Sequence, residues 1–269
     1  MDIFRKDLFQ DQVILITGGG TGIGRGIAQA LAEHGANVAL LSRSADHVEG
    51  AADEIAKSTG RRTLGLAADV REAEKVDAAL ARIISELGRL DAVINGAAGN
   101  FLCASADLSA NGYGTVLDID AKGTWNVSKA AFQAWFKEHG GQILSISATL
   151  HHGGTPGQLH VASAKAAVDA LTRTLAVEWG PLGIRVNAIA PGPISDTEGA
   201  RRLFPEAVAE RIRKVIPTRA LGRIEDVVNL ALFTLSPAAA NLNGAILVTD
   251  GGLSLTGNFS LVADALRPR

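Results

Sequence analysis

The chain has 269 residues, 47% hydrophobic and 20% charged, with a net charge of −2 from 26 basic and 28 acidic residues. That is ordinary composition for a soluble globular protein, and the even mixture of signs gives no field suited to nucleic acid or an anionic membrane surface. A single cysteine, Cys103, excludes an internal disulfide, and no apolar run is long enough to span a bilayer.

The opening MDIFRKDLFQDQ lacks the apolar centre of a signal peptide, and the closing LVADALRPR carries no readable organelle address. A cytoplasmic location is therefore expected. Gln12–Gly18 (QVILITG) reads as a first strand, near-continuously apolar as befits a strand covered on both faces. It leads into a helical pattern with Ile23, Ile27, Ala30 and Leu31 on one face and Gly35 as its stop. Gly18, Gly22 and Gly24 fall at the strand-to-helix turn, where missing side chains let backbone approach a pyrophosphate. Thr21 and Ile23 share that turn, and the helix N-terminus supplies N–H donors and partial positive charge.

Asn37–Arg43 is the second strand. A carboxylate about 20 positions after the glycines would hold a ribose 2′-hydroxyl. Ser42-Arg43-Ser44 stands there instead, with Arg25 just after the glycines. Arginine matches a 2′-phosphate, so the expected cofactor is NADPH. Thr63–Val70 is the third strand, and Asp69, beside Val70, reads either as an adenine contact or as a cap in Asp69-Val70-Arg71-Glu72. Leu90–Gly99 is the fourth, and Asn95-Gly96-Ala97 is expected to organise backbone beside the cofactor.

Gly141–Ala148 is a fifth strand, and Leu159–Gly180 a long helix carrying Lys165 among small residues. Ile184–Gly192 and Ala245–Gly252 complete the strands, the sixth running into Pro191-Gly192-Pro193-Ile194 and the seventh closing on Asp250. This alternation, unbroken by a linker, predicts one α/β domain: a doubly wound, parallel, seven-stranded Rossmann sheet with helices on both faces. Pro193 to about Gly222 interrupts the pattern as a proline-bounded, Arg-rich helical insertion, expected to be a small lid over substrate. Its Arg201, Arg202, Arg211, Arg213, Lys214 and Arg219 offer charge to phosphates such as those of coenzyme A. Near His151 and His152 the local loop holds no carboxylate or cysteine at ligand spacing, so no metal site is expected. His160, just before the helix, is open as a pocket residue.

Thr17-Gly18-x-x-x-Gly22-x-Gly24, Asn95-Gly96-Ala97-Ala98-Gly99, Lys165 and Pro191-Gly192-Pro193-Ile194, in this order, resemble the short-chain dehydrogenase/reductase family over almost the whole chain. The resemblance implies a nicotinamide near Lys165 and Pro191-Gly192, a hydrogen bond from Lys165 to the nicotinamide ribose, and a homodimer or homotetramer. The departures are specific. Where the family places asparagine, serine and tyrosine ahead of the lysine, this chain has Asp120, Ala148 and Val161. The variant with tyrosine six residues before the lysine also fails, because that position is Leu159. The one tyrosine of the chain, Tyr113, lies far upstream.

Within the family, the blocks NGAAGNFLCASADLS, DIDAKGTWNVSKA, SISATL and APGPISDTEGARRL are similar to 2,4-dienoyl-CoA reductases of the peroxisomal type. That resemblance implies NADPH-dependent reduction of an acyl-CoA, a 2,4-dienoyl thioester going to a 3-enoyl thioester during oxidation of unsaturated fatty acids. In such a reaction hydride adds at the far end of the conjugated system, charge collects on the thioester oxygen, and the proton goes to carbon. A tyrosine beside a carbonyl is then dispensable. Asp120 is the first candidate acid, directly or through water, or else a structural partner of Lys165. Asp118, two residues away on a helix, should face elsewhere. Asp250 is a second candidate acid, or a turn residue before two glycines. Ser163 either donates to the thioester or packs. Two other readings stay open: a short-chain reductase acting on a carbonyl or imine, and an NADPH-binding sensor without turnover.

Overall fold

The computed structural model describes residues 3–197 and 206–256. Its strands are β1 (Val13–Thr17), β2 (Asn37–Ser42), β3 (Thr63–Ala67), β4 (Ala92–Asn95), β5 (Gly141–Ile146), β6 (Ile184–Pro191) and β7 (Ile246–Thr249). They form one parallel sheet in the order β3-β2-β1-β4-β5-β6-β7. The apolar runs become strands because both faces of the sheet are covered. Ile14, Ile16, Val38 and Leu40 pack into a core with helices α1 (Gly22–Glu33) and α2 (Ala45–Thr59). The alternate residues Val13, Leu15, Ala39 and Leu41 face the opposite core with α3 (Ala73–Leu87). Burial of each such Ile, Leu or Val contributes roughly 1.5–3 kcal/mol, so the two layers together fix the register of the strands.

After β1 the chain winds outward through β2 and β3, then returns to place β4 on the other side of β1. This reversal opens a crevice at the carboxyl ends of β1 and β4, where open α/β sheets bind ligands. Thr17 closes the floor of the crevice: its hydroxyl accepts from the N–H groups of Gly96 (3.1 Å) and Ala97 (3.2 Å).

The segment after β4 runs as α4 (Ala110–Leu117), a widened π turn over Asp118–Lys122, α5 (Gly123–Ala131), a second π turn over Phe132–Phe136 and the short α6 (Lys137–His139). A π turn inserts one extra residue per turn and re-aims the side chains around it. Here it carries Asp120 to full burial while Asp118 stays exposed. Helix α7 spans Leu159–Trp179, one residue short of the sequence expectation. The insertion after β6 is pinned at its base, with Ser195 N–H donating to Gly222 O (2.9 Å) and Gly222 N–H to Pro193 O (3.0 Å). It contains α8 (Glu206–Val215) and leads into α9 (Ile224–Leu235). Arg201 and Arg202 lie outside the described residues. Among the described residues no helix is long and apolar enough to cross a membrane.

Candidate active site

The glycine turn is built from close backbone approach. At Gly18, with φ +67°, an added Cβ would stand 2.7 Å from Gly96 O, and at Gly24 it would stand 2.4 Å from Gly18 O. Neither position accepts a side chain. Thr21 is the N-cap of α1 and its side chain makes no capping hydrogen bond. The opening N–H groups of the helix, around Gly22 and Ile23, therefore lack the usual side-chain acceptor, and a pyrophosphate fits that need.

At the edge of the crevice Ser42 donates to Ser44 O (3.2 Å), and Arg43 is exposed without a hydrogen bond or ion pair among the described residues. Arg25 is committed elsewhere, paired with Glu54 of α2. Asp69 is held by Arg71, whose guanidinium donates to both carboxylate oxygens (2.6–3.1 Å), while Arg71 N–H donates to Asp69 Oδ1 (3.0 Å). That arginine holds the Asp69 carboxyl below the ordinary range. The N-cap of α3 is Glu72, with no side-chain cap bond, so Asp69 forms a local turn rather than a capping box. Val70 is buried, and its carbonyl accepts from Asn126 Nδ2 (2.8 Å). Asn95 is buried and directs its amide to Ser128 Oγ (3.2 Å) and Ser145 Oγ (3.5 Å), under the crevice rather than into it. Ile194 buries its side chain in the core, leaving main chain near the turn. Gly192 lies against Asp250, where an added Cβ would meet Asp250 Cβ at 2.8 Å.

Lys165 and Asp120 form the centre. Lys165 Nζ donates to Ile146 O (2.9 Å) and lies 3.0 Å from Asp120 Oδ2. Their side chains are 8% and 0% exposed. Asp120 Oδ1 accepts from Gly99 N–H (2.7 Å), which ties the loop after β4 to the pair. Asp120 Oδ2 faces the ammonium as an ion-pair partner and accepts no further hydrogen bond among the described residues. That oxygen keeps lone-pair capacity for a water or a ligand hydroxyl. The lysine also keeps donor capacity for a ligand, since its ammonium carries three protons.

The tyrosine and serine positions hold hydrocarbon. Val161 is 2% exposed and packs with Val116 and Ala164 against Leu117 and Leu150. Ala148 follows Ser147 at the end of β5. His160 is fully buried, stacks on Phe101 at 4.1 Å and binds Phe101 O through Nε2 (3.0 Å), so it braces the loop rather than facing solvent. Ser163 has no described hydrogen-bond partner and stays only partly covered.

Asp250 Oδ1 accepts from Gly252 N–H (2.8 Å) and Oδ2 from Ser254 N–H (2.7 Å). Burial pushes its carboxyl up, but the bonds from Ser254 and Gly252 and the charge of His152 outweigh burial and hold it below the ordinary range. That environment favours the carboxylate over the acid. A depressed folded value means stability that is present above the unfolded value near 3.9 and lost as pH falls through the folded one. Asp250→Asn is thus expected to lower stability by about 1 kcal/mol at pH 7, the figure reduced for partial solvent screening. In urea titrations the gap from wild type should close as pH drops below about 4.

One cluster was not foreseen. Asp169, 2% exposed on α7, accepts from Ser147 Oγ (2.6 Å) and pairs with His151 Nε2 (2.8 Å). The expectation of no carboxylate near the histidine pair held only for the local loop, because the fold brings Asp169 up from the helix. His151, His152 and Asp169 present possible ligand atoms within 4.8 Å of one another. Both oxygens of Asp169 are already engaged by donors, so its carboxylate is satisfied as it stands. The available signal was the spacing: Asp169 lies four residues after Lys165, on the same helix face.

Residues 18–254 match the family model described as Enoyl-(Acyl carrier protein) reductase. The chain is 48% identical over 255 residues to a Danio rerio protein named peroxisomal 2,4-dienoyl-CoA reductase, (3E)-enoyl-CoA-producing, covering 94% of this chain and 85% of that one. It is 40% identical over 246 residues to a Bacillus subtilis (strain 168) protein named probable 2,4-dienoyl-CoA reductase, (2E)-enoyl-CoA-producing, covering 90% and 96%. Among solved structures, a short chain dehydrogenase from Bacillus anthracis superposes with a TM-score of 0.82 at 40% identity, covering 90% and 96%. The fold agrees with these likenesses, and the chain belongs to the short-chain dehydrogenase/reductase family of oxidoreductases.

Proposed function

We propose that the protein reduces 2,4-dienoyl-CoA thioesters to 3-enoyl-CoA with NADPH. The observation that carries this reading is the buried Lys165–Asp120 pair in a site whose tyrosine and serine positions are Val161 and Ala148. A ketone reductase needs a hydroxyl to protonate the carbonyl oxygen; a dienoyl reductase needs charge stabilisation and an acid over carbon. The names of the relatives favour the same substrate class.

Bound NADPH would supply hydride to the terminal carbon of the diene, C5. Gly18, Gly22, Ile23 and Gly24 would seat its pyrophosphate, with Ala97, Pro191 and Gly192 as backbone walls towards the nicotinamide. Lys165 would bind the nicotinamide ribose and hold positive charge near the developing enolate. Asp120 would receive a water at Oδ2 and relay a proton from it to substrate carbon. Asp250, kept ionised beside Gly192, would add negative charge at the edge of the site rather than supply the proton itself. Delivery to C2 gives the 3-enoyl product and delivery to C4 the 2-enoyl product, the distinction that separates the two relatives' names. We assign the first, following the more similar relative.

Arg43 would pair with the 2′-phosphate. Arg43→Ala is expected to weaken NADPH binding about tenfold or more, from loss of a charge-assisted bond, and to leave NADH binding nearly unchanged. Fluorescence titration with each nucleotide checks this. Exposed apolar side chains on α5 (Trp125), α7 (Val177) and β7 (Val248) support assembly as a homodimer or homotetramer. The activity test follows NADPH absorbance with a medium-chain 2,4-dienoyl-CoA and, in parallel, a saturated 3-oxoacyl-CoA. Oxidation with the dienoyl substrate alone is the expected outcome; oxidation with the oxoacyl substrate alone would overturn the reading.

A further inference from the structure

We propose that Asp169 is a positioning residue that locks the loop between β5 and α7 in place as a wall of the acyl site, with His151 as the arm it grips. The substrate part of this inference rests on the reductase reading above; the clamp itself does not.

Two successive turns of α7 reach two successive residues at the end of β5. Lys165 donates to Ile146 O (2.9 Å), and one turn later Asp169 accepts from Ser147 Oγ (2.6 Å). Ser147 N–H donates to Ile189 O (2.7 Å), so Ser147 is held by sheet and helix together. A carboxylate this buried must have its oxygens satisfied, and here the second donor comes from the loop: His151 Nε2 at 2.8 Å. Arg173 approaches Oδ2 only at 3.9 Å, with its side chain 61% exposed, and adds a solvated counter-charge.

The imidazole is held in one sense. With its proton on Nε2, His151 donates to Asp169 and leaves Nδ1 as a bare acceptor, and Nδ1 is buried with no partner. The opposite tautomer would bury an unpaired N–H and confront Asp169 with a lone pair. The loop is folded on this anchor by His152 N–H to Thr149 O (3.1 Å) and Thr155 Oγ1 to Leu150 O (2.9 Å). Its far end is tied to the loop after β4 by Cys103 N–H to Gly157 O (2.9 Å). Ala148 and Thr149, between the two anchors Ser147 and His151, leave the carboxyl end of the sheet where the substrate must lie. None of Ser147, Asp169 and His151 has a part in the proton or hydride path, yet together they make a buried polar network one turn from Lys165.

The test compares wild type with His151→Ala and His151→Gln, whose amide N–H can still reach Asp169. In the alanine variant, amide hydrogen exchange over residues 148–157 should quicken about tenfold while α7 keeps its protection. KM for a 2,4-dienoyl-CoA should rise about five- to tenfold, with kcat and the NADPH Kd within about twofold. His151→Gln should restore both exchange and KM. Unchanged exchange in the alanine variant would overturn the clamp. Faster exchange with unchanged KM would overturn its role in the acyl site, as would a joint shift of KM, kcat, NADPH Kd and Tm. If wild type does not turn over dienoyl-CoA, the reductase reading fails, and the exchange comparison alone supports or overturns the clamp.

Discussion

Lys165→Met should cut turnover by about a thousandfold and lower the unfolding free energy by about 3–5 kcal/mol. The two losses have different sources. Turnover falls because the ammonium is the positive charge beside the reacting centre and the proposed partner of the nicotinamide ribose. Stability falls because Asp120, 0% exposed, loses the ammonium that is its ion-pair partner. A second substitution separates them. Lys165→Met combined with Asp120→Leu removes both charges, and should recover most of the stability and none of the turnover. Chemical denaturation and single-turnover kinetics on the same samples read the two terms. Equal destabilisation in the single and double variants would show that lost packing, not the stranded carboxylate, sets the cost.

Asp120→Asn should lower kcat by about 10²- to 10³-fold while the NADPH Kd stays within about threefold. The amide oxygen can still accept from Gly99 N–H, so the loop after β4 keeps its anchor. What goes is the charge opposite Lys165 and the acceptor at Oδ2 that would pass a proton. If the proton step becomes limiting, the solvent deuterium isotope effect on kcat should rise in the variant. Full turnover in Asp120→Asn would mean that water protonates the substrate without this carboxylate.

Much of this centre is legible in the sequence. Strands buried on both faces read as unbroken apolar runs, and seven such runs became the seven strands of one sheet. Gly18, Gly22 and Gly24 announce the crevice because only glycine fits that turn. Helical periodicity separates Asp120 from Asp118, and the register holds through the π turn that re-aims them. Long-range pairing is what the sequence conceals. Arg25 reads as a phosphate ligand until Glu54, 29 residues on, takes its guanidinium. Asp169 draws no attention in the sequence, because its partners Ser147 and His151 stand 22 and 18 residues away and meet it only in the fold. Asp250 stays ambiguous for a local reason. An aspartate before two glycines suits a binding edge and a turn equally, and only the N–H groups of Gly252 and Ser254 show how firmly its charge is held.

The most direct test of the account uses NADPH carrying deuterium as its transferable hydride, a 2,4-dienoyl-CoA and ordinary water, with the product read by NMR and mass spectrometry. The expected product is a 3-enoyl-CoA bearing one deuterium at C5 and a solvent proton at C2. Transfer of deuterium to the carbonyl carbon of a 3-oxoacyl-CoA, or no transfer to the dienoyl thioester while NADPH binds, would contradict it.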